Sequence, residues 1–208
     1  MIPTDQNTIR DILVLYEDID RQTLNFAKET GLCCKPGCGA CCENPEIETT
    51  VAEVMPLAAH LWSQGLAEKK LESIRSNPSK SVCAFYEPVR PAKSGLNKRP
   101  GDPLTPGKGR CGAYLYRPGI CRLFGFAARR DKHGQRVLVT CRIIKDTQPQ
   151  NSSNAQKKLH EGLDAPLLSA HAFAVSNIDP VHGEKLCPIN QAIRRALEKV
   201  GYNIQNNS

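Results

Sequence analysis

The 208-residue sequence predicts a mainly α (α+β) fold, with helices packed around an irregular cysteine-rich centre and one small β-hairpin. Three observations predict it. Apolar residues recur at helical spacing over 5–29, 50–65 and 188–200. Ten cysteines gather largely in stretches whose Gly and Pro content opposes regular structure. Two short apolar segments, 120–128 and 136–141, bracket a Gly-containing turn.

The elements follow in order. Ile9, Ile12, Tyr16, Ile19, Thr23 and Phe26 are spaced by three and four, and Gly31 stands as a terminator for that first helix. The run 33–42 holds Pro36, Gly37 and Gly39, so it reads as a loop. Thr50-Val51-Ala52-Glu53 spells a capping box for a second helix through Val54, Leu57, Ala58, Leu61 and Trp62. Pro56 within it marks either a start nearer Met55 or a kink. Leu66, Leu71 and Ile74 give a third short helix over 66–76. Residues 88–110 put five prolines, four glycines and six Lys/Arg into 23 positions, the composition of a long loop inserted between Cys83 and Cys111.

ICRLFGFAA (120–128) and RVLVTC (136–141) flank RRDKHGQ as a hairpin. TQPQNSSNAQ (147–156) reads as polar linker, and 157–176 as helix interrupted at Pro166. The last helix, 188–200, places Ile189, Ala192, Ile193, Ala196, Leu197 and Val200 on one face, with Gly201 as cap. No internal repeat is present. The expectation is one domain over 1–208: a cysteine-cluster core at about 31–145, an N-terminal helix at 5–29 and a C-terminal helical segment at 157–201.

The net charge of +7 is unevenly distributed: −5 over 1–50, +5 over 51–110, +6 over 111–150 and +1 over the remainder. A basic middle is the footprint of a nucleic-acid binder. It is also what neutralises a centre held by several thiolates, and the absence of an accompanying base-stacking aromatic series favours that second reading. MIPTDQNTIRDILVLYEDID has no basic n-region, apolar h-region or small-residue cleavage site, and no stretch reaches the roughly 18 apolar residues of a span. A cytoplasmic location is therefore expected, where clustered cysteines serve metals or catalysis rather than disulfides.

Soft thiolates select zinc, iron–sulfur clusters or Cu(I). Adjacent Cys41 and Cys42 suit two centres, or one ligand and one supporting thiol. Cys34-x3-Cys38-x2-Cys41 also spells the CxxxCxxC pattern of radical SAM enzymes. That motif belongs after the first strand of a βα barrel, and here a helix precedes it with no alternation of strands and helices behind.

CKPGCGACC (34–42) together with CGAYLYRPGICRLF (111–124) resembles the CxxCxxCC cysteine-cluster family (YkgJ type), described as zinc- or iron-chelating. The resemblance covers about 33–145. It departs from the family's name in that three residues, not two, separate Cys34 from Cys38. Cys111, Tyr114, Arg117, Cys121 and Arg122 match the central motif, Cys83 lies in CAFY, and Cys141 in TCRII fits the last position. The metal ligands that the resemblance implies are Cys34, Cys38, Cys41, Cys42, Cys83, Cys111, Cys121 and Cys141, with Cys33 and Cys187 outside the pattern.

Arg117 and Arg122 are candidates to donate hydrogen bonds to ligating sulfurs, and Tyr114 is expected to pack in the core. No histidine has metal spacing to a cysteine, so no His ligand is expected, with His60 and His171 the two that folding could recruit. The same domain occurs in flagellin lysine methylases, but no methyl-donor site is visible here and that activity is not carried over.

The function expected is therefore that of a cytoplasmic metal-binding protein with a cysteine-ligated iron–sulfur cluster or zinc. Zinc sites are usually built from two separated short pairs, and a dense run with distal partners is closer to cluster ligation, which favours iron. Two alternatives are an iron–sulfur oxidoreductase or accessory subunit of a protein-modifying enzyme, and a zinc-stabilised nucleic-acid-associated module. No protein partner, substrate or catalytic residue is indicated, and no membrane partner.

Overall fold

The computed structural model describes residues 3–34, 38–76, 82–88 and 109–206. Most of the expected loop at 88–110 lies outside them. Helix α1 (Pro3–Thr30) is followed by a single turn, α2 (Ala40–Glu43), and the two-residue strand β1 (Glu48–Thr49). Helices α3 (Val51–Ser63) and α4 (Ala67–Arg75) come next, then strands β2 (Tyr86–Pro88) and β3 (Gly109–Cys111). A 3₁₀ turn at Tyr114–Tyr116 leads into the short helix α5 (Gly119–Leu123). The hairpin β4 (Ala127–Arg130) and β5 (Arg136–Val139) precedes α6 (Arg142–Thr147), α7 (Pro149–His160) and α8 (Leu168–Ile178). Strand β6 (Cys187–Pro188) and helix α9 (Ile189–Gln205) complete the chain. The fold is mainly α with small antiparallel strand pairs: β1 with β6, β2 with β3, β4 with β5.

The amphipathic pattern of each long helix dictates its partner. Val54, Met55, Leu57, Ala58 and Leu61 of α3 meet Ala192, Ile193, Ala196, Leu197 and Val200 of α9 in the main core, which also takes in Cys42, Cys83 and Cys187. Ile12, Tyr16 and Ile19 of α1 cover the other side of α3 and pack on Leu123 and Val175. A third cluster joins Phe26 and Leu32 to Ala128, Ile144, Ala155 and Leu159, so α1 bridges both ends of the molecule.

The structure corrects several boundaries. Helix α3 starts at Val51 and runs through Pro56, because the capping box fixes its start: Thr50 Oγ1 accepts the Glu53 amide at 3.3 Å and Glu53 Oε2 accepts the Thr50 amide at 3.2 Å. ICRLF is not a strand; with Gly119 it forms α5, and the hairpin strands begin only at Ala127. The polar stretch 147–156 is no linker. Pro149 opens α7 at its first position, where its missing amide costs nothing, and the buried Ala155 and Leu159 anchor it. Gly201 does not cap α9. It lies inside the helix, because a Cβ there would sit 2.3 Å from the Trp62 ring, so glycine allows α3 and α9 to close.

Candidate metal centre

Four segments of chain converge on one cavity of about 1210 Å³, and all eight cysteines named as candidate ligands line it. Helix α2 brings Cys41 and Cys42, and the residues before it bring Cys34 and Cys38. Cys83 precedes β2, Cys111 ends β3, Cys121 sits mid-way along α5, and Cys141 is the N-cap of α6. None of the ten cysteines, all of them described residues, is in a disulfide.

Local sequence explains the convergence. The Tyr86 ring lies across Gly39 and Gly109: an added Cβ would stand 2.4 Å from it at Gly39 and 2.2 Å at Gly109. Two glycines thus let α2 and β3 approach the same ring. Tyr86 also donates its hydroxyl hydrogen to Glu43 at 2.5 Å, tying β2 to the end of α2. The Cys83 amide donates to the Cys42 carbonyl at 2.8 Å, and the register pairs Tyr86 with Cys111. Cys41, Cys42, Cys83 and Cys111 are thereby drawn into one group.

Their titration reflects that crowding. Interaction with Cys111, then with Cys41 and Cys83, and burial push the Cys42 thiol well up. In return Cys41 and Cys111 are each lowered to about 7, chiefly by the Cys42 hydrogen bond, and Cys83 is lowered for the same reason. The Arg117 charge adds to the effect at Cys111. A group that holds thiolates near neutral pH is poised for a cation.

The remaining sulfurs differ. Burial, then the thiolates of Cys41, Cys83 and Cys111, push Cys121 well up. Partial burial, then Cys38, Cys141 and Cys41, push Cys34 to about 11. Cys141 is raised by burial, although its sulfur accepts the Ile144 amide at 3.3 Å. Cys34, Cys38 and Cys141 therefore form an outer group, next to the inner four.

Cys121 is positioned by a buried carboxylate. Glu53, 3 % exposed, accepts the Gly119 amide at 2.9 Å and pairs with His171 Nε2 at 2.8 Å. Thr49 and Thr50 donate hydroxyl hydrogens to its other oxygen. A Cβ on Gly119 would stand 2.1 Å from His171 Nε2, so only glycine starts α5 here. Burial alone would raise the Glu53 carboxyl. The hydrogen bond and charge of His171, with the bonds from Thr50 and Thr49, outweigh it and hold the group below its ordinary 4.5.

The two motif arginines have other duties than those expected of them. Arg122 donates to the carbonyls of Arg117 and Leu115 and to Asp20, and lies over the Tyr16 ring. Arg117 donates to the Tyr114 carbonyl, pairs with Asp20 at 3.7 Å and stacks on Tyr114. Tyr114 is 61 % exposed rather than core. His171 is recruited by Glu53, and His60 stacks on Tyr116. Cys33 is bound through its backbone to Gln148, and Cys187 is buried with its thiol directed at the Thr49 carbonyl.

The donor set of the cavity is sulfur: among the described residues no histidine lines it, and its carboxylates, Glu43 and Glu87, are bonded to Tyr86 and Arg110. Among the described residues no group of three or more Cys, His, Asp or Glu side chains is arranged to hold a metal ion. What is present is a cluster of thiols that lines one cavity.

A family model decides the affiliation, matching residues 32–142 over more than half of the chain. The chain belongs to the CxxCxxCC family. Its description is "Putative zinc- or iron-chelating domain". No curated protein and no solved structure matches the chain. The CxxCxxCC match spans all eight cavity cysteines and Cys33, and ends one residue after Cys141. It excludes His171, Gln148 and α9. Sequence reading saw Glu53 as half of a capping box and missed its bond to Gly119, which joins positions 66 residues apart.

Proposed function

We propose that this CxxCxxCC protein is a cytoplasmic metal-binding protein whose cavity holds a cysteine-ligated iron–sulfur cluster or zinc, with iron the favoured metal. One observation carries the proposal: the eight cysteines picked out by their motif positions line a single cavity, although they span more than a hundred residues of chain. Cys41, Cys42, Cys83 and Cys111 are the inner ligands, Cys121 stands beside them, and Cys34, Cys38 and Cys141 serve the outer side. An iron–sulfur cluster would supply electron transfer, and a closed zinc site would supply folding energy. The protein's own part is to gather thiolates, to release the Cys42 proton as the metal enters, and to offset the charge with Arg117.

Among the described residues no helix is long and apolar enough to cross a membrane. The basic side chains at the cavity are largely committed: Arg110 to Glu87, Arg117 and Arg122 to Asp20. That supports counter-charge over nucleic-acid binding. The size of the cavity favours a second reading, an oxidoreductase or an accessory subunit, since about 1210 Å³ exceeds what a metal centre fills and pockets of roughly 300–1,000 Å³ hold small molecules. Paired substitutions test the ligand assignment. Cys121→Ser should lose bound metal and Cys33→Ser should keep it, measured as metal per chain after anaerobic purification; full retention by Cys121→Ser contradicts the proposal.

A further inference from the structure

We propose that Asn190, on the first turn of α9 and outside the family-matched 32–142, is a positioning residue of the metal centre that sets the backbone of Cys83. The inference rests on the thiol cavity being the metal site. It adds to that site a residue that no cysteine motif contains.

The geometry is reciprocal. Asn190 Oδ1 accepts the Ala84 amide at 2.8 Å, and its Nδ2 donates to the Val82 carbonyl at 2.9 Å. The two bonds bracket Cys83. A side-chain carboxamide carries one donor group and one acceptor, as a peptide unit does, so it can stand in for a neighbouring strand. The intervening residue faces the other way: the Cys83 amide donates to the Cys42 carbonyl at 2.8 Å. Cys83 is thus held from both edges, by α9 on one side and by α2 on the other. Its side chain, 6 % exposed, reaches the Cys42 thiol.

The clamp is itself anchored. The Ile189 amide donates to the Ile47 carbonyl at 3.0 Å, and β6 pairs with β1 just before it. Ile189 and Ile193 of the same helix line the cavity. Helix α9 therefore supplies both a wall of the cavity and the hold on one inner cysteine. Without Asn190 the part-buried Ala84 amide and Val82 carbonyl lose these partners, and the Cys83 segment is free to leave Cys42.

Asn190→Asp separates hydrogen bonding from packing. The carboxylate keeps the shape and still accepts the Ala84 amide, but it has nothing to donate to Val82. The first readout needs no metal: iodoacetamide labelling of the reduced, metal-free, full-length protein, followed cysteine by cysteine by peptide mass spectrometry. The expected result is Cys83 labelling faster by about tenfold, the opening expected for one lost hydrogen bond, with Cys121 unchanged. The second readout is metal loss to a chelator from zinc- or iron-loaded protein. It should quicken by about 10- to 100-fold, the range for partners that orient ligands from outside the coordination shell.

Unchanged Cys83 labelling in folded Asn190→Asp overturns the proposal. Equal acceleration at Cys83 and Cys121 also overturns it, because that is general loosening rather than positioning. If the variant does not fold, the wild-type metal-free protein decides: Cys83 labelling as fast as exposed Cys33 overturns the clamp, and strong protection supports it. A wild-type protein that takes up neither metal sinks the metal-site reading, while the labelling still judges the hold on Cys83.

Discussion

At the scale of single residues, the molecule separates groups that bind from groups that hold. Cysteines are legible in a sequence because soft ligands in such density have few other uses, and the resemblance to the CxxCxxCC family implied which eight to take. Glu53 was not legible, because its role depends on Gly119 and His171 arriving from distant segments. It is also the group that couples stability to acid. Its folded-state pKa lies below the ordinary 4.5, so its contribution is complete above that value and is lost as pH falls through the folded-state value. Glu53→Gln should therefore flatten the fall in melting temperature below about pH 4.5, and an unchanged acid limb contradicts this assignment. Arg122 was read as a hydrogen-bond donor to sulfur, yet its donors are spent on two carbonyls and Asp20. Arg122→Ala should lower stability by about 1.5–3 kcal/mol in chemical denaturation, since those part-buried hydrogen bonds lose their charged donor.

Among elements, the long amphipathic helices could be read from their periodicity, and only some of their ends could. The capping box at Thr50 was readable because its two halves are three residues apart, and it fixes α3 despite Pro56. Thr50→Ala should cost about 1–2 kcal/mol by removing the cap on the Glu53 amide and one hydrogen bond to its carboxylate. Helix α7 was hidden because its polar residues face solvent and the contacts of Ala155 and Leu159 with Phe26 and Leu32 are long-range. Gln148 at its start joins the backbone of Cys33, and Asn151 the Gly31 carbonyl at 2.7 Å, neither of which composition predicts. Gly201 looked like a cap because glycine usually ends a helix; its real constraint is the distant Trp62 ring, which also bonds the Leu197 carbonyl of α9. Gly201→Ala should separate α3 from α9 and cost about 1–3 kcal/mol, seen as a lower denaturation midpoint.

At the scale of the whole molecule, the family-matched segment 32–142 does not enclose its own cavity. Helix α9 forms a wall of it, α8 supplies His171 to Glu53, and α1 supplies Tyr16 and Asp20 to Arg122. Removing 189–205 should therefore abolish metal uptake as well as stability, and a truncated chain that still loads stoichiometrically would contradict this dependence. The mainly α class was visible from the sequence because it needs only local periodicity. The pairing of β1 with β6 was not, since those two-residue strands carry no pattern and lie far apart in the sequence. The cysteines, by contrast, announced a shared centre before any of this packing was known. The account stands most directly on the metal itself. Protein purified anaerobically and analysed for iron, zinc and acid-labile sulfide per chain should carry metal near stoichiometry, with iron, sulfide and a brown visible absorption if the favoured centre forms. Colourless protein with one equivalent of zinc would replace the cluster by a zinc site, and full-length folded protein holding neither metal would contradict the account.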